Sequence, residues 1–199
     1  MKLKRLCTVV SMLMLCLINV PAQISVGMRD NRHVYGSYLL KGHYRFCVEQ
    51  SLYAEKIGYQ TLRGYIGYSD NLLDIDYSGD VYAGSAYNGD YYNIGALLGA
   101  RYKAAGRIII NARINPHYDS ALGYKTCWEA GAGVVITDNI NVIASYTTIP
   151  EYRMSEKRVR AGFEFSVKQL SVSPCLSVAT SGAGKSKTLR ALMSFSYKF

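Results

Sequence analysis

The sequence predicts an all-β fold, a transmembrane antiparallel up-and-down β-barrel of about ten strands, with eight or twelve strands as the alternatives. After residue 30, segments of about ten residues alternate apolar and polar side chains and are separated by turns, which is the period of a strand with two different faces. Membrane-spanning strands need ~9–11 residues with this pattern. No stretch after residue 22 approaches the ~20 consecutive apolar residues of a membrane helix, which excludes a helical membrane protein.

The first 22 residues have the three parts of a cleavable secretory signal. A positively charged start, with Lys2, Lys4 and Arg5, is followed by an apolar core. Val20 and Ala22 then provide the small residues that precede a signal-peptide cleavage site. The apolar core is too short to span a bilayer comfortably. We therefore expect a signal peptide over 1–22 and one barrel domain over 23–199, the alternative being an uncleaved anchor.

The strands follow one another along the rest of the chain. In the eighth, Val159, Ala161 and Phe163 alternate with Arg158, Arg160 and Gly162. The same alternation places the ten strands at 33–41, 44–53, 58–68, 91–103, 107–117, 124–136, 140–149, 157–168, 170–179 and 188–199. Residues 24–30 and 71–87 are the segments that would raise the count.

The connections alternate in length, as they do in outer-membrane barrels. Short turns are expected at 54–57, 104–106, 137–139 and 168–169, and longer loops at 69–90, 118–123, 148–156 and 180–187. Short inner turns and long outer loops place both chain ends on the inner side when the strand number is even. The short first hairpin near Gly42 is the exception to this rule.

One face of the predicted strands carries charges that a lipid-facing surface would not tolerate, so we assign them to the lumen. They are Arg45, Glu49, Arg63, Arg101, Arg113, Lys125, Glu129, Arg160, Glu164 and Arg190. The predicted register places Glu49 beside Arg63 and Arg113 beside Glu129. Side chains commonly fill a small barrel, so the favoured interpretation is a salt-bridged plug. The alternative is a narrow pore whose surplus positive charge favours anions.

The segment Ala179–Ser186 matches a loose phosphate-loop pattern, a small residue followed by four residues of any type and Gly-Lys-Ser. That loop binds phosphate only where it follows a strand and opens a helix. A predicted strand follows it here, so we expect no nucleotide. If Lys185 and Lys187 contact phosphate, the phosphate of lipopolysaccharide is the better candidate.

No other motif predicts a metal, a cofactor or a nucleic acid. Asp74, Asp76, Ser78, Gly79 and Asp80 match the first half of a calcium loop, but the position that should hold a bidentate Glu is Ser85. Whether the loop at 69–90 binds calcium therefore stays open. Three cysteines follow the signal and their spacing matches no metal site. The basic residues alternate into a lumen and form no surface stripe, which argues against nucleic-acid binding.

The last strand, LRALMSFSYKF, aligns Leu189, Met193, Phe195, Tyr197 and Phe199 on one face. A closing strand with this apolar face and a terminal Phe resembles that of Gram-negative outer-membrane β-barrel proteins. The resemblance implies an outer-membrane location, contact with outer-membrane lipid and lipopolysaccharide, and recognition by the barrel assembly machinery, with Phe199 as part of the assembly signal. It indicates a superfamily and no particular member.

These observations favour a small outer-membrane barrel with a charged, plugged lumen and a structural or surface-interaction role. The alternative is a narrow anion-favouring pore or small-ligand channel. A hydrolase at the outer rim is the third hypothesis, with His43 and His117 expected there and Asp119 near His117. No spacing typical of a nucleophile and its base occurs, so we expect that the chain is not an enzyme.

Overall fold

A computed structural model of the chain describes residues 22–52, 60–148, 157–181 and 189–199. Within these ranges no helix is long and apolar enough to cross a membrane. Twelve strands occupy them: β1 (Ala22–Arg29), β2 (His33–Leu40), β3 (Tyr44–Ser51), β4 (Thr61–Leu72), β5 (Ile75–Ala86), β6 (Tyr92–Ala104), β7 (Ile108–Asp119), β8 (Gly123–Thr137), β9 (Ile140–Thr147), β10 (Lys157–Val167), β11 (Leu170–Ser181) and β12 (Leu189–Lys198).

The strands form one closed antiparallel barrel. Each strand pairs with the next one in sequence, and β1 closes the barrel against β12. Short turns join the strands at the end where β1 begins and β12 ends, which we call the terminus end. Gly42 and Gly106 adopt φ values of 76° and 69° in two of these turns, a left-handed conformation that costs a glycine little. The all-β, up-and-down barrel predicted from the sequence is confirmed.

The favoured count of about ten strands was wrong, and the alternative of twelve holds. The additional strands are β1 and β5, in the two segments that the alternation had left open. β5 has a turn-like composition, IDYSGDVYAGSA, because its inward face carries Asp, Ser and Gly. A barrel strand needs apolar residues on its lipid face alone, and Ile75, Tyr77 and Val81 supply them. The predicted loop at 69–90 is therefore mostly the β4–β5 hairpin.

The first strand also corrects the placement of the connections. With β1 included, the turn at Gly42 falls at the terminus end with the other short turns, so the exception disappears. The short inner turn expected at 54–57 lies outside the described residues, but β3 ends at Ser51 and β4 begins at Thr61 at the opposite end of the barrel. His43 lies at the terminus end, whereas His117 lies near the opposite end, contrary to the prediction that both occupy one rim.

The apolar face of the strands points outward. Val81 and Ile66 are 62 % and 60 % exposed, whereas Glu49 and Asp80 are 4 % and 3 % exposed. A soluble barrel has the opposite arrangement, with the apolar side chains inside. The exposed apolar surface therefore identifies a barrel whose outer wall faces lipid.

Aromatic side chains bound this apolar surface at both ends. On β6, Tyr92 and Tyr102 both point outward and lie ten residues apart. Ten residues extend ~34 Å along a strand, and a tilt of ~45° reduces this to ~24 Å along the barrel axis. The separation matches the ~25 Å apolar band of outer-membrane barrels, with aromatic residues at both interfaces.

The seam between β1 and β12 is the shortest strand pairing, with four register pairs from Ser25↔Lys198 to Met28↔Phe195. Asn31 extends it, since its Nδ2 donates to Ala191 O at 3.2 Å and its Oδ1 accepts from Met193 N at 3.1 Å. At the terminus end, Phe199 N donates to Ile24 O at 2.8 Å. The seam is thus closed by backbone pairing in its centre, by hydrogen bonds of Asn31 at one side and by the hydrogen bond of Phe199 at the other.

Two expectations fall outside the described ranges. The signal at 1–22 does so apart from Ala22, the first residue of β1. The phosphate-loop pattern begins in β11, whose last residue is Ser181, and its remaining residues, 182–186, are not described. Since β12 begins at Leu189, both elements that flank the pattern are strands.

Candidate functional site in the barrel lumen

The barrel encloses a cavity of about 1280 Å³. Its lining begins at the terminus end, with Gln23 and Lys198, and continues to Tyr91 and Asn93 near the opposite end. Small-molecule sites in proteins have ~300–1,000 Å³. The lumen of this barrel is therefore a continuous space of more than ligand size.

The wall of β1 to β4 has an ion cluster centred on Glu49. Its carboxylate lies 2.8 Å from Arg29 Nη2, 3.8 Å from Arg63 Nη1 and 3.5 Å from His33 Nδ1. Tyr65 donates its hydroxyl hydrogen to the same carboxylate at 3.0 Å. Because Glu49 is almost fully buried, these contacts are what compensates its charge.

Further along this wall, charged and polar side chains cross the neighbouring strand and contact residues two strands away. Arg45 of β3 pairs with Asp80 of β5, its Nε donating to Asp80 Oδ1 at 3.1 Å. The intervening β4 has Gly67 at this position, where a Cβ would overlap the Asp80 carboxylate. The absence of a side chain at Gly67 lets the pair lie flat against the wall.

The same arrangement recurs on the next strands. Tyr82 of β5 donates to Asn115 Oδ1 of β7 at 2.9 Å, and a Cβ at Gly95 of β6 would lie 2.8 Å from the Tyr82 hydroxyl. Arg63 extends over Gly84 in a similar way. Long inward side chains thus follow the wall over inward-facing glycines.

The remaining predicted lumen residues lie on the inner wall as well. Arg113 Nη2 is 3.2 Å from Glu129 Oε1, and these two residues face each other in the β7–β8 register. Glu49 and Arg63 likewise face each other between β3 and β4. Arg160 Nη2 is 3.2 Å from the carboxylate of Asp30 in the β1–β2 turn.

Four predicted residues have other surroundings. Arg101 contacts Glu164 across the lumen, with distances of 3.1 and 2.7 Å between the guanidinium nitrogens and the carboxylate oxygens. Arg190 faces Ser177 in the β11–β12 register. Lys125 faces His117 and forms no ion pair with the described residues. The ten residues therefore form several separate groups rather than one network.

Several charged lumen residues escaped the sequence analysis. Arg29 and Asp30 fell in a segment that was not assigned to a strand, and Asp80 fell in the predicted loop. Arg158 is fully buried, and its Nε donates to Ser177 Oγ at 2.7 Å. The alternation in β10 places Arg158 on the inward face, so its position in the lumen could have been predicted from the sequence.

The inner wall carries more positive than negative charge within the described ranges. Among the side chains that line the cavity, the basic ones are Arg29, Arg45, Arg63, Arg113, Arg160 and Lys198, and the acidic ones are Asp30, Glu49, Asp80, Glu129 and Glu164. At the connection between β5 and β6, burial raises the pKa of the Tyr91 phenol, which keeps it protonated. The lining of the cavity therefore carries a small excess of positive charge.

The residues of the calcium-loop pattern are not arranged around a common point. Asp76 accepts a hydrogen bond from Asn71, and Asp80 pairs with Arg45. No group of three or more His, Cys, Asp or Glu side chains among the described residues has a metal-binding arrangement. The alternation along β5 explains this, because residues of one strand face lie in a row and not in a ring.

The fold defines the class of protein, a closed antiparallel twelve-stranded β-barrel whose apolar face points outward. No protein-family model and no curated protein matches the sequence. Among solved structures, the chain is similar to the KdgM porin, with a TM-score of 0.54 and 9 % identity, covering 89 % of this chain and 98 % of that one. The NanC porin has a TM-score of 0.47 and 8 % identity, covering 89 % and 97 % of the two chains. The toluene transporter TodX of Pseudomonas putida has a TM-score of 0.41 and 11 % identity, covering 89 % and 88 %.

Proposed function

We propose that this chain is an outer-membrane channel that passes small anionic solutes. The observation that carries the proposal is the cavity of about 1280 Å³, whose lining runs from one end of the barrel to the other. A lumen of this kind admits water and solutes, whereas a plugged lumen would be filled by side chains or a loop. The flat packing over Gly67 and Gly95 gives the physical reason why the charges do not fill it.

The location and direction of the channel follow from the outer wall and the chain topology. The apolar band and its aromatic borders fit the outer membrane, where such barrels are found. The even strand number places both chain ends at one side, and outer-membrane barrels have their short turns in the periplasm. We therefore assign the terminus end to the periplasm. The KdgM protein, which has this fold, is a porin.

The structural role favoured by the sequence alone has less support, because it assumed a plugged lumen. A hydrolase has little support as well. Asp119 Oδ1 accepts from the backbone nitrogens of Ala121 and Leu122, and His117 Nδ1 lies 3.1 Å from Asn115 O. It stays a prediction that the chain has no enzymatic activity and binds no nucleotide. The expected contact with lipopolysaccharide, and the expected recognition of Phe199 by the barrel assembly machinery, stay predictions as well.

Planar-bilayer recording tests the proposal. The folded protein, confirmed by heat-modified gel mobility, should show discrete openings in a salt gradient with a reversal potential on the anion side. Arg113→Glu should move that potential towards the cation side, because it replaces a lumen cation by an anion beside Glu129. Lys168→Glu, in the β10–β11 turn, makes the same charge change away from the centre of the lumen.

The outcomes separate the two parts of the proposal. Folded protein without openings would refute the channel. Openings with cation preference would refute the anion selectivity and leave the channel standing. An equal shift in Arg113→Glu and Lys168→Glu would show that the lumen charge at Arg113 does not set the selectivity.

A further inference from the structure

One ion pair differs from all others in the lumen by the distance it spans around the barrel. Arg101 lies on β6 and Glu164 on β10, so β7, β8 and β9 lie between them. The other ion pairs between described strand residues join neighbouring strands or strands two positions apart around the barrel. A pair that spans four steps of a twelve-stranded barrel crosses a third of its circumference.

The geometry of this pair is that of a fixed bridge. Arg101 Nη1 and Nη2 donate to the two oxygens of Glu164 at 3.1 and 2.7 Å, the two-pronged arrangement that gives an arginine–carboxylate pair its direction. Asn141 Nδ2 of β9 donates to Glu164 Oε2 at 3.2 Å. The carboxylate is therefore held from both sides, and we call these three residues the Arg101–Glu164 bridge.

The strands between Arg101 and Glu164 carry apolar side chains on their inner face. Ile109 of β7 points inward but is only 1 % exposed. On β8, a Cβ at Gly133 would lie 2.9 Å from Ile143 Cγ1, so the Ile143 side chain of β9 packs over this glycine. Glu164 and Ile143 both line the cavity. The bridge therefore spans a stretch of wall that itself carries apolar side chains.

The bridge lies close to the mouth at the terminus end. Arg101 is three residues before the last residue of β6, and Glu164 is three residues before the last residue of β10. On the opposite side of the mouth, β1 and β2 contribute Gln23, Ser25, Ser37 and Leu39 to the lining. A side-chain pair that joins strands a third of the circumference apart cuts across the lumen instead of following its wall, so it narrows the passage at this level.

We propose that the Arg101–Glu164 bridge constricts the periplasmic mouth of the channel and sets the size limit of the solutes that pass. This inference rests on the proposed channel function. Both side chains are about one third exposed, so water and ions reach the pair and weaken it. The constriction should accordingly widen at high salt.

Polymer exclusion in planar bilayers tests the constriction. Polyethylene glycols of increasing length are added at the periplasmic side, and the longest polymer that still lowers the single-channel conductance gives the size limit. Arg101→Ala should raise the conductance and move the limit to longer polymers, because the bridge is lost. Glu164→Gln, which keeps the shape of the side chain, should do the same to a smaller extent.

Two further variants make the test specific. Lys103→Ala removes a positive charge from the same strand, two residues from Arg101, and should leave the size limit as in the wild type. The charge-swapped double variant Arg101→Glu/Glu164→Arg should restore the wild-type limit. Gel mobility before and after heating establishes that each variant is folded.

The outcomes distinguish this inference from the channel on which it rests. A folded wild-type protein that does not conduct overturns both. A conducting wild type whose size limit is the same as that of Arg101→Ala and of Glu164→Gln overturns the constriction alone. Equal effects of Arg101→Ala and Lys103→Ala would show that the charge of the mouth, and not the bridge, decides passage.

Discussion

The most direct test of the lumen's contribution to stability is the substitution Glu49→Gln. It keeps the shape of the side chain but removes the charge on which Arg29, His33, Arg63 and Tyr65 converge. Breaking a buried ion pair costs ~3–5 kcal/mol, because the remaining charge is left uncompensated. Since the Arg29 side chain is 37 % exposed, water compensates part of the loss, and the lower figure of about 3 kcal/mol is appropriate.

Equilibrium unfolding in urea, with the protein in lipid vesicles, measures this loss. Trp128 is the chain's sole tryptophan, and it lies on the outer face 5.3 Å from the Tyr146 ring, where its fluorescence reports on the intact barrel. With a slope of about 2 kcal/mol per molar urea, a loss of about 3 kcal/mol lowers the midpoint by about 1.5 M. Asp138→Asn makes the same chemical change in the exposed β8–β9 turn and should leave the midpoint nearly unchanged.

The reasoning has a second check in the double variant Glu49→Gln/Arg29→Met. Removing the guanidinium that Glu49 compensated should recover part of the lost stability, since two basic groups no longer face each other without an acid. A Glu49→Gln midpoint equal to that of Asp138→Asn would refute the idea that this cluster stabilises the wall. No recovery in the double variant would mean that the loss comes from another contact of Glu49.

Two further predictions concern the outer wall and the seam. Val81→Arg places a charge in the middle of the apolar band and should lower the free energy of unfolding in vesicles by about 2–4 kcal/mol. Val81→Leu should have little effect. Equal stability of the two variants would contradict the assignment of this face to lipid. Asn31→Ala removes two hydrogen bonds to the β12 edge, each contributing about 1 kcal/mol. Hydrogen exchange at the Met193 amide should accelerate, with Asn88→Ala in the β5–β6 turn as the control, and an unchanged rate would mean that the seam is held by the backbone pairing of β1 alone.

Much of the fold could be predicted from the sequence because every strand of a membrane barrel alternates outward apolar side chains with inward polar ones. The alternation in the segment 157–168 gave β10 almost to the residue. Counting outward from each hairpin placed Glu49 opposite Arg63 and Arg113 opposite Glu129, where the structure has them. The alternation within each pair of consecutive strands determines both features, so no knowledge of the whole barrel was required.

The missed features depend on the closed barrel. β5 lacked the density of apolar residues expected of a strand, because a water-facing lumen tolerates Asp, Ser and Gly. The pairs Arg45–Asp80 and Arg101–Glu164 join strands that are not neighbours, so they follow only from the strand number and the curvature of the wall. The placement of His43 failed for the same reason, since the undetected β1 moves the turn at Gly42 to the other end of the barrel, and the undetected β5 restores the placement of the turns that follow it.

The lumen shows why charge content alone could not decide between a plug and a pore. Ten or more ionic side chains fill a small barrel if they extend towards its axis, which was the basis of the plug interpretation. Here Arg45, Asp80 and Tyr82 extend along the wall. They can do so because Gly67 and Gly95 leave the intervening strands without a side chain at these positions. In the channel that we propose, the same charges line a passage instead of closing it. The glycines on the inward face, more than the arginines, are then the residues by which this sequence would specify an open lumen.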